Sequence, residues 1–117
     1  MNLLSGLFGS PLPAINAPEL DERLKKGKPP LVVDVRQPEE YRSGHIAGAK
    51  LIPLGDLNQR MKELPQNREI VCVCASGSRS SSATKMLVGA GYAAINMSGG
   101  MFTWQRNGLP TKKGSAA

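Results

Sequence analysis

The chain has 117 residues, enough to bury one core and too few for two domains. It carries 15 Lys and Arg against 9 Asp and Glu, a net charge of +6, but the basic residues are scattered with few aromatics between them; this argues against a nucleic-acid-binding stripe and for a surface that attracts anions. No apolar run approaches the ~20 residues of a membrane span, and 2 cysteines with 1 histidine are too few for a typical structural zinc site.

Residues 1–13 are expected to form a flexible leader. Leu3, Leu4, Leu7 and Phe8 fall at helical spacing, but Gly6, Gly9, Pro11 and Pro13 oppose a helix, and the basic start and long apolar core of a signal peptide are missing. A second reading of the leader is a docking segment for a partner or for another copy of the chain. Asn16 to Leu20 then reads as a helix entry, with Pro18 in the first turn and Glu19, Asp21 and Glu22 favouring the N-terminus. Leu20 and Leu24 form an i, i+4 pair facing the core, and Gly27 with Pro29-Pro30 ends the helix.

Residues 31–35, L-V-V-D-V, read as a buried strand leading into Asp34-Val35-Arg36. A short helix follows at Pro38-Glu39-Glu40-Tyr41, then the segment Gly44-His45-Ile46-Ala47-Gly48-Ala49. A lone histidine invites a general-base role. Just after Gly44, however, His45 reads as a side chain that pins the loop, because a base must reach the reacting atom. Residues 50–53 read as a third strand. Residues 54–64 read as a helix with Leu54, Leu57, Met61 and Leu64 on one face, and Pro65-Gln66-Asn67 as a turn.

The most informative stretch is residues 70–91. It opens with I-V-C-V-C, a β-branched run without polar alternation, as in a strand buried on both faces. Small residues follow, then helix formers Ala83, Lys85, Met86 and Leu87, with Gly89 or Gly91 as the stop. Cys74 stands at the last residue of the strand. Gly77 supplies the positive φ of a tight loop, Ser78 is the expected N-cap, and amides from Ala75 to Arg79 are aimed at the Cys74 sulfur. With the Arg79 charge added, these groups favour the thiolate over a free thiol of pKa about 8.5. Taken alone, Cys74 reads equally well as a buried structural cysteine. Cys72 and Cys74 lie about 6.6 Å apart along the strand, with parallel side chains, which opposes a disulfide between them. This usage suits a reducing compartment and a cytoplasmic protein. Residues 93–97 read as the last strand, Ser98-Gly99-Gly100 as a turn, Trp104 as a core anchor, and residues 111–117 as a frayed polar tail.

Several of these segments together resemble the rhodanese family of sulfurtransferases. The loop Cys74-Ala75-Ser76-Gly77-Ser78-Arg79-Ser80 is similar to its active-site loop. The D-V-R, E-E-Y and G-H-I-x-G-A signatures fall at 34–36, 39–41 and 44–49, and G-G-x-x-x-W falls at Gly99, Gly100 and Trp104. The resemblance runs from about residue 15 to 110 and implies a domain at 14–110, with a short first strand near Ile15. It implies an α/β fold, a five-stranded, mostly parallel sheet with helices on both faces and strand order 1-5-4-2-3. In this reading Cys74 takes a sulfane sulfur as a persulfide. Ala75, Ser76, Gly77, Ser78, Arg79, Ser80 and Arg36 contact the substrate, and Asp34, His45, Gly99, Gly100 and Trp104 are structural. The expected partners are a small anionic or persulfide donor and a thiol or cyanide acceptor, which a partner protein can carry. No metal or organic cofactor, nucleic acid or membrane is implied. Two rivals stay open: phosphatase or arsenate-reductase chemistry, and a non-catalytic binding module. Against the first, phosphate-handling loops of related folds read C-x5-R and this one reads C-x4-R from Cys74 to Arg79. Against the second, such modules often lack the cysteine.

Overall fold

Alternating β-branched runs and amphipathic segments produce a parallel sheet with two helical layers. The computed structural model describes residues 12–117; the leader expected at 1–13 lies outside the described residues as far as residue 11. The strands are β1 (Ala14–Ile15), β2 (Leu31–Asp34), β3 (Lys50–Leu51), β4 (Ile70–Val73) and β5 (Ala94–Met97). The helices are α1 (Ala17–Leu24), α2 (Pro38–Ser43), α3 (Leu57–Arg60), α4 (Ser78–Gly89) and α5 (Gly100–Arg106). The sheet order is β1-β5-β4-β2-β3 with every pair parallel, the order that the resemblance implies. β4 is therefore central, flanked by the strands that lead to Arg36 and to Gly99.

Strand alternation divides the core in two. Val32, Val71 and Val73 pack with Leu20, Tyr41, Met101 and Trp104 from α1, α2 and α5. Val33, Ile70, Cys72 and Cys74 pack on the other face with Leu57, Ala83 and Leu87 from α3 and α4. Helix α1 starts as its sequence suggests: the Asn16 side chain accepts from the Glu19 N–H at 2.8 Å, with proline in the first turn. It ends at Leu24, before Gly27.

The single helix expected at 54–64 is broken. A 3-10 turn (Leu54–Asp56) precedes α3 and a second one (Met61–Glu63) follows it. Gly55 weakens the start, and Pro65 forces the residue before it out of the helical region, so Leu64 sits at φ −90°, ψ 142°. Leu57 and Leu64 still reach the core. The third strand is also shorter than expected: it ends at Leu51, although the Ile52 and Leu54 N–H groups beyond it still donate to the Asp34 and Val35 carbonyls at 2.9 and 3.0 Å.

The expected frayed tail is docked at its start. Lys112 and His45 exchange backbone hydrogen bonds of 2.8 and 2.9 Å, and the Gly114 N–H donates to the Arg42 carbonyl at 2.9 Å. The backbone of the buried His45 loop requires partners, and this segment supplies them. Trp104, 1% exposed, draws the chain there by donating from Nε1 to the Pro110 carbonyl at 2.9 Å. Among the described residues, no helix is long and apolar enough to cross a membrane.

Candidate active site

The chain leaves β4 at Val73, and Cys74 is the first residue beyond the strand, fully buried. Residues 75–77 turn back over it. Gly77, at φ 102°, is the N-cap of α4, and Ser78 is its first residue instead of the cap. The turn needs a left-handed cap that a serine adopts poorly. A Cβ on Gly77 would also press against the Gly99 nitrogen at 3.3 Å.

This turn encloses the Cys74 sulfur. The N–H groups of Gly77 and Ser80 point at Sγ from 3.1 and 3.2 Å, and Ser80 Oγ lies 3.3 Å away. Burial pushes the thiol up, but hydrogen bonds from the Ser80 hydroxyl and from the amides of Ser80, Gly77 and Ser76 outweigh it, and its pKa falls below the ordinary value. Cys72, on the same sheet face, has no such ring. Burial raises its pKa to about 11, opposed by the Thr84 hydroxyl, so it stays a neutral thiol. Both cysteines are free.

Helix α5 secures the loop from the other side. The N–H groups of Met101 and Phe102 donate to the carbonyls of Cys74 and Ala75 at 2.8 and 3.0 Å. Gly99 and Gly100 allow this approach at φ 77° and 59°. Asn96 Nδ2 lies 3.5 Å from the Gly77 carbonyl.

The arginines sit differently from expectation. Arg79 was expected to add free positive charge beside the sulfur; its fork grips Glu40 instead, Nη1 to Oε1 at 2.8 Å and Nη2 to Oε2 at 2.9 Å. The guanidinium holds the Glu40 carboxyl down at about 2. Arg36 is 5% exposed, and its Nη2 donates to Asp34 at 2.7 Å and to the Gly44 carbonyl at 2.8 Å. It ties β2 to the His45 loop, and its charge is matched by Asp34. His45 lies fully buried, with Nδ1 2.8 Å from the Tyr41 carbonyl and its ring stacked on Tyr41 at 3.7 Å. It is not among the groups around the sulfur.

Beside the loop lies a groove of about 480 Å³, lined by Arg36, Glu40, Ser43, Ala75, Ser76, Met101, Phe102 and Gln105. Phe102 is 68% exposed at its edge. The sequence did not assign Glu40, Ser43, Met101, Phe102 or Gln105 to the site. Glu40 was visible only inside the E-E-Y signature, and nothing local marked it as the partner of a residue 39 positions away. Among the described residues, no group of three His, Cys, Asp or Glu side chains stands together as a metal site would need. The arrangement is a ring of hydrogen-bond donors around one sulfur, able to stabilise a thiolate there.

Comparison with known proteins bears on the family of the chain. The sequence profile of the rhodanese-like domain matches residues 16–107. A sulfurtransferase of Allochromatium vinosum is 38% identical over 97 residues, covering 82% of this chain and 91% of that protein. An HTH-type transcriptional regulator of Mycobacterium tuberculosis is also 38% identical, over 111 residues; the match spans 93% of this chain but 49% of the regulator. A rhodanese-related protein of Thermoplasma volcanium superposes with a TM-score of 0.81 at 33% identity, covering 86% of this chain and 97% of that one.

Proposed function

The chain belongs to the rhodanese-like family, and we propose that it is a sulfurtransferase carrying one sulfane sulfur on Cys74, from thiosulfate or a persulfide donor to a thiol or cyanide. The observation that carries this reading is the ring around Sγ: two amides within 3.2 Å and the Ser80 hydroxyl at 3.3 Å. That ring favours negative charge on the sulfur, and a thiolate is the nucleophile that the reaction requires.

In the first step the Cys74 thiolate attacks the outer sulfur of the donor. A sulfur–sulfur bond forms to Cys74, the donor's own sulfur–sulfur bond breaks, and its electron pair leaves with sulfite when thiosulfate is used. In the second step the acceptor attacks the outer sulfur of the persulfide, and the electron pair returns to Cys74 as a thiolate. Neither step takes an electron from outside. Amides fixed by the loop and by α5 need no reorganisation as charge moves between the two sulfurs. Cys74 is buried, so the groove beside Ala75 and Ser76 is the approach for donor and acceptor. Two free cysteines fit a reducing, cytoplasmic setting.

The test is mass spectrometry of the intact protein after exposure to thiosulfate or a low-molecular-weight persulfide. The expected result is a one-sulfur increment on Cys74, removed by cyanide as thiocyanate and absent from Cys74→Ser. An unmodified Cys74, or an increment that survives in Cys74→Ser, rejects the proposal.

A further inference from the structure

The groove contradicts the net charge. The chain carries +6, which favours anions at the surface as a whole, yet Arg36 on the groove and Arg79 behind Glu40 are already matched. Arg36 lines the groove, but its guanidinium is bound to Asp34 and to the Gly44 carbonyl and is 5% exposed. Arg79 is not among the lining residues, and both ends of its fork are held by Glu40. Arg106 lies over the Phe102 ring, 5.8 Å from its centroid, and does not line the groove either. Ala75, at the position after the cysteine, adds no charge.

Glu40 itself does face the groove. Its carboxylate is fixed from two sides, by the Arg79 fork and by the Gln37 N–H at 2.9 Å, which makes it part of the N-terminal cap of α2. It cannot swing away to release Arg79 without also giving up the cap. A sulfur carrier approaching Cys74 past Ala75 and Ser76 therefore meets a carboxylate and matched guanidiniums instead of a free cation.

We propose that Glu40 is a specificity-determining residue: by holding the Arg79 fork and facing the groove, it makes the site prefer sulfur carriers whose thiol bears a neutral or amine-bearing group over carriers with an anionic one. This rests on Cys74 as the sulfur carrier. The chemistry stays that of the two-step transfer above, and Glu40 acts on which molecule reaches the outer sulfur.

The experiment uses the Cys74 persulfide, formed first and verified by mass, then discharged in single turnovers. Mercaptoethanol, cysteamine and mercaptopropionate serve as neutral, cationic and anionic acceptors, with each rate normalised to thiolate concentration. The parent protein is expected to discharge to mercaptoethanol and cysteamine about tenfold faster than to mercaptopropionate, the scale of one charge-assisted contact. Glu40→Gln keeps an oxygen for the Gln37 N–H and frees most of the Arg79 fork, so the ratio of mercaptopropionate to mercaptoethanol should rise about tenfold. In the double variant Glu40→Gln, Arg79→Gln that rise should vanish. A parent that discharges fastest to mercaptopropionate, as the overall charge alone would dictate, overturns the proposal. So does an unchanged ratio in a folded Glu40→Gln. If that variant does not fold, the acceptor order of the parent decides. Failure to form the persulfide at all is seen before any acceptor is added; it rejects the Cys74 reading itself and the preference with it.

Discussion

Gly100 lies so close to Cys74 that a Cβ built on it would stand 2.5 Å from the Cys74 carbonyl oxygen and equally near that of Ala75. The same two carbonyls accept from the first amides of α5, so the absence of one side chain lets a helix start dock on the loop that encloses the sulfur.

Gly100→Ala should therefore do more than strain one residue. The left-handed φ of 59° costs a side chain about 1–2 kcal/mol, and the backbone overlap adds about 1–3 kcal/mol. Thermal unfolding should show a loss on that scale, and transfer activity should fall further than stability does, because the displaced loop carries the sulfur ligands. An unchanged melting temperature would show that α5 can shift without disturbing residues 74–76.

The two cysteines should separate cleanly. In the proposed reaction Cys74→Ser removes the sulfur that bonds to the transferred atom, and it should abolish turnover with thiosulfate. Cys72→Ser should retain turnover, with a stability cost of about 1–3 kcal/mol for a hydroxyl in an apolar site. Steady-state assays of both variants decide it; equal loss in the two would falsify the assignment.

The ionisation of Cys74 is set by hydrogen bonds to the sulfur, with the Ser80 hydroxyl the foremost favourable contributor. Alkylation of Cys74 against pH should reach its midpoint below the free-thiol value of about 8.5. Ser80→Ala should move that midpoint upward more than Arg79→Ala does, since the Arg79 fork is bound to Glu40. The reverse order would mean that net charge, not local hydrogen bonding, governs the thiol.

Glu40 ties the site to acid stability. Its folded pKa of about 2 lies below the ordinary 4.5, so the pair stabilises the fold above pH 4.5, and that contribution is lost as pH falls through the interval toward 2. Melting temperatures across this interval should fall less steeply for Glu40→Gln than for the parent. Part of the slope should remain, because Glu63, held by Arg60 and Lys50, titrates over the same range. Identical slopes would show that the Glu40 pair makes no difference to folding.

Thiosulfate is a dianion, and Ala75 leaves the groove without a cation at the place nearest the sulfur. Ala75→Arg should lower KM for thiosulfate by about tenfold, one charge-assisted contact, and change transfer from an uncharged persulfide donor much less. Kinetics with both donors would show it. A low KM in the parent, or no response to the substitution, would mean that the main-chain amides alone bind the dianion.

What could be read in advance follows from how local each signal is. The β-branched runs at β2 and β4 stand out because both faces are buried, and the strand–loop–helix around Cys74 is written in consecutive residues. Residues 54–64 misled because their leucines keep helical spacing while Gly55 and Pro65 break the backbone that would carry it. Lys112 looked like tail because its partner is the backbone of His45, which no side-chain pattern announces. Glu40 and Arg79 meet only because β2 and β4 are neighbours in the sheet. A contact across 39 residues has no trace in local periodicity, and it matches the charge that Arg79 was expected to bring to the site.

The central place of β4 also bears on when the protein becomes chemically competent during synthesis. Its neighbour β2 precedes it, but β5 and the amides of Met101 and Phe102 come afterwards. Until the ribosome has released residues through 102, β4 is an open sheet edge, and the carbonyls of Cys74 and Ala75 lack their helix. A nascent chain stalled before that point displays two cysteines on an unpaired edge, exposed to oxidation and to mispairing with other chains. The last strand and the helix after it close this interval, so the loop around Cys74 is fully held only once residues through 102 have emerged.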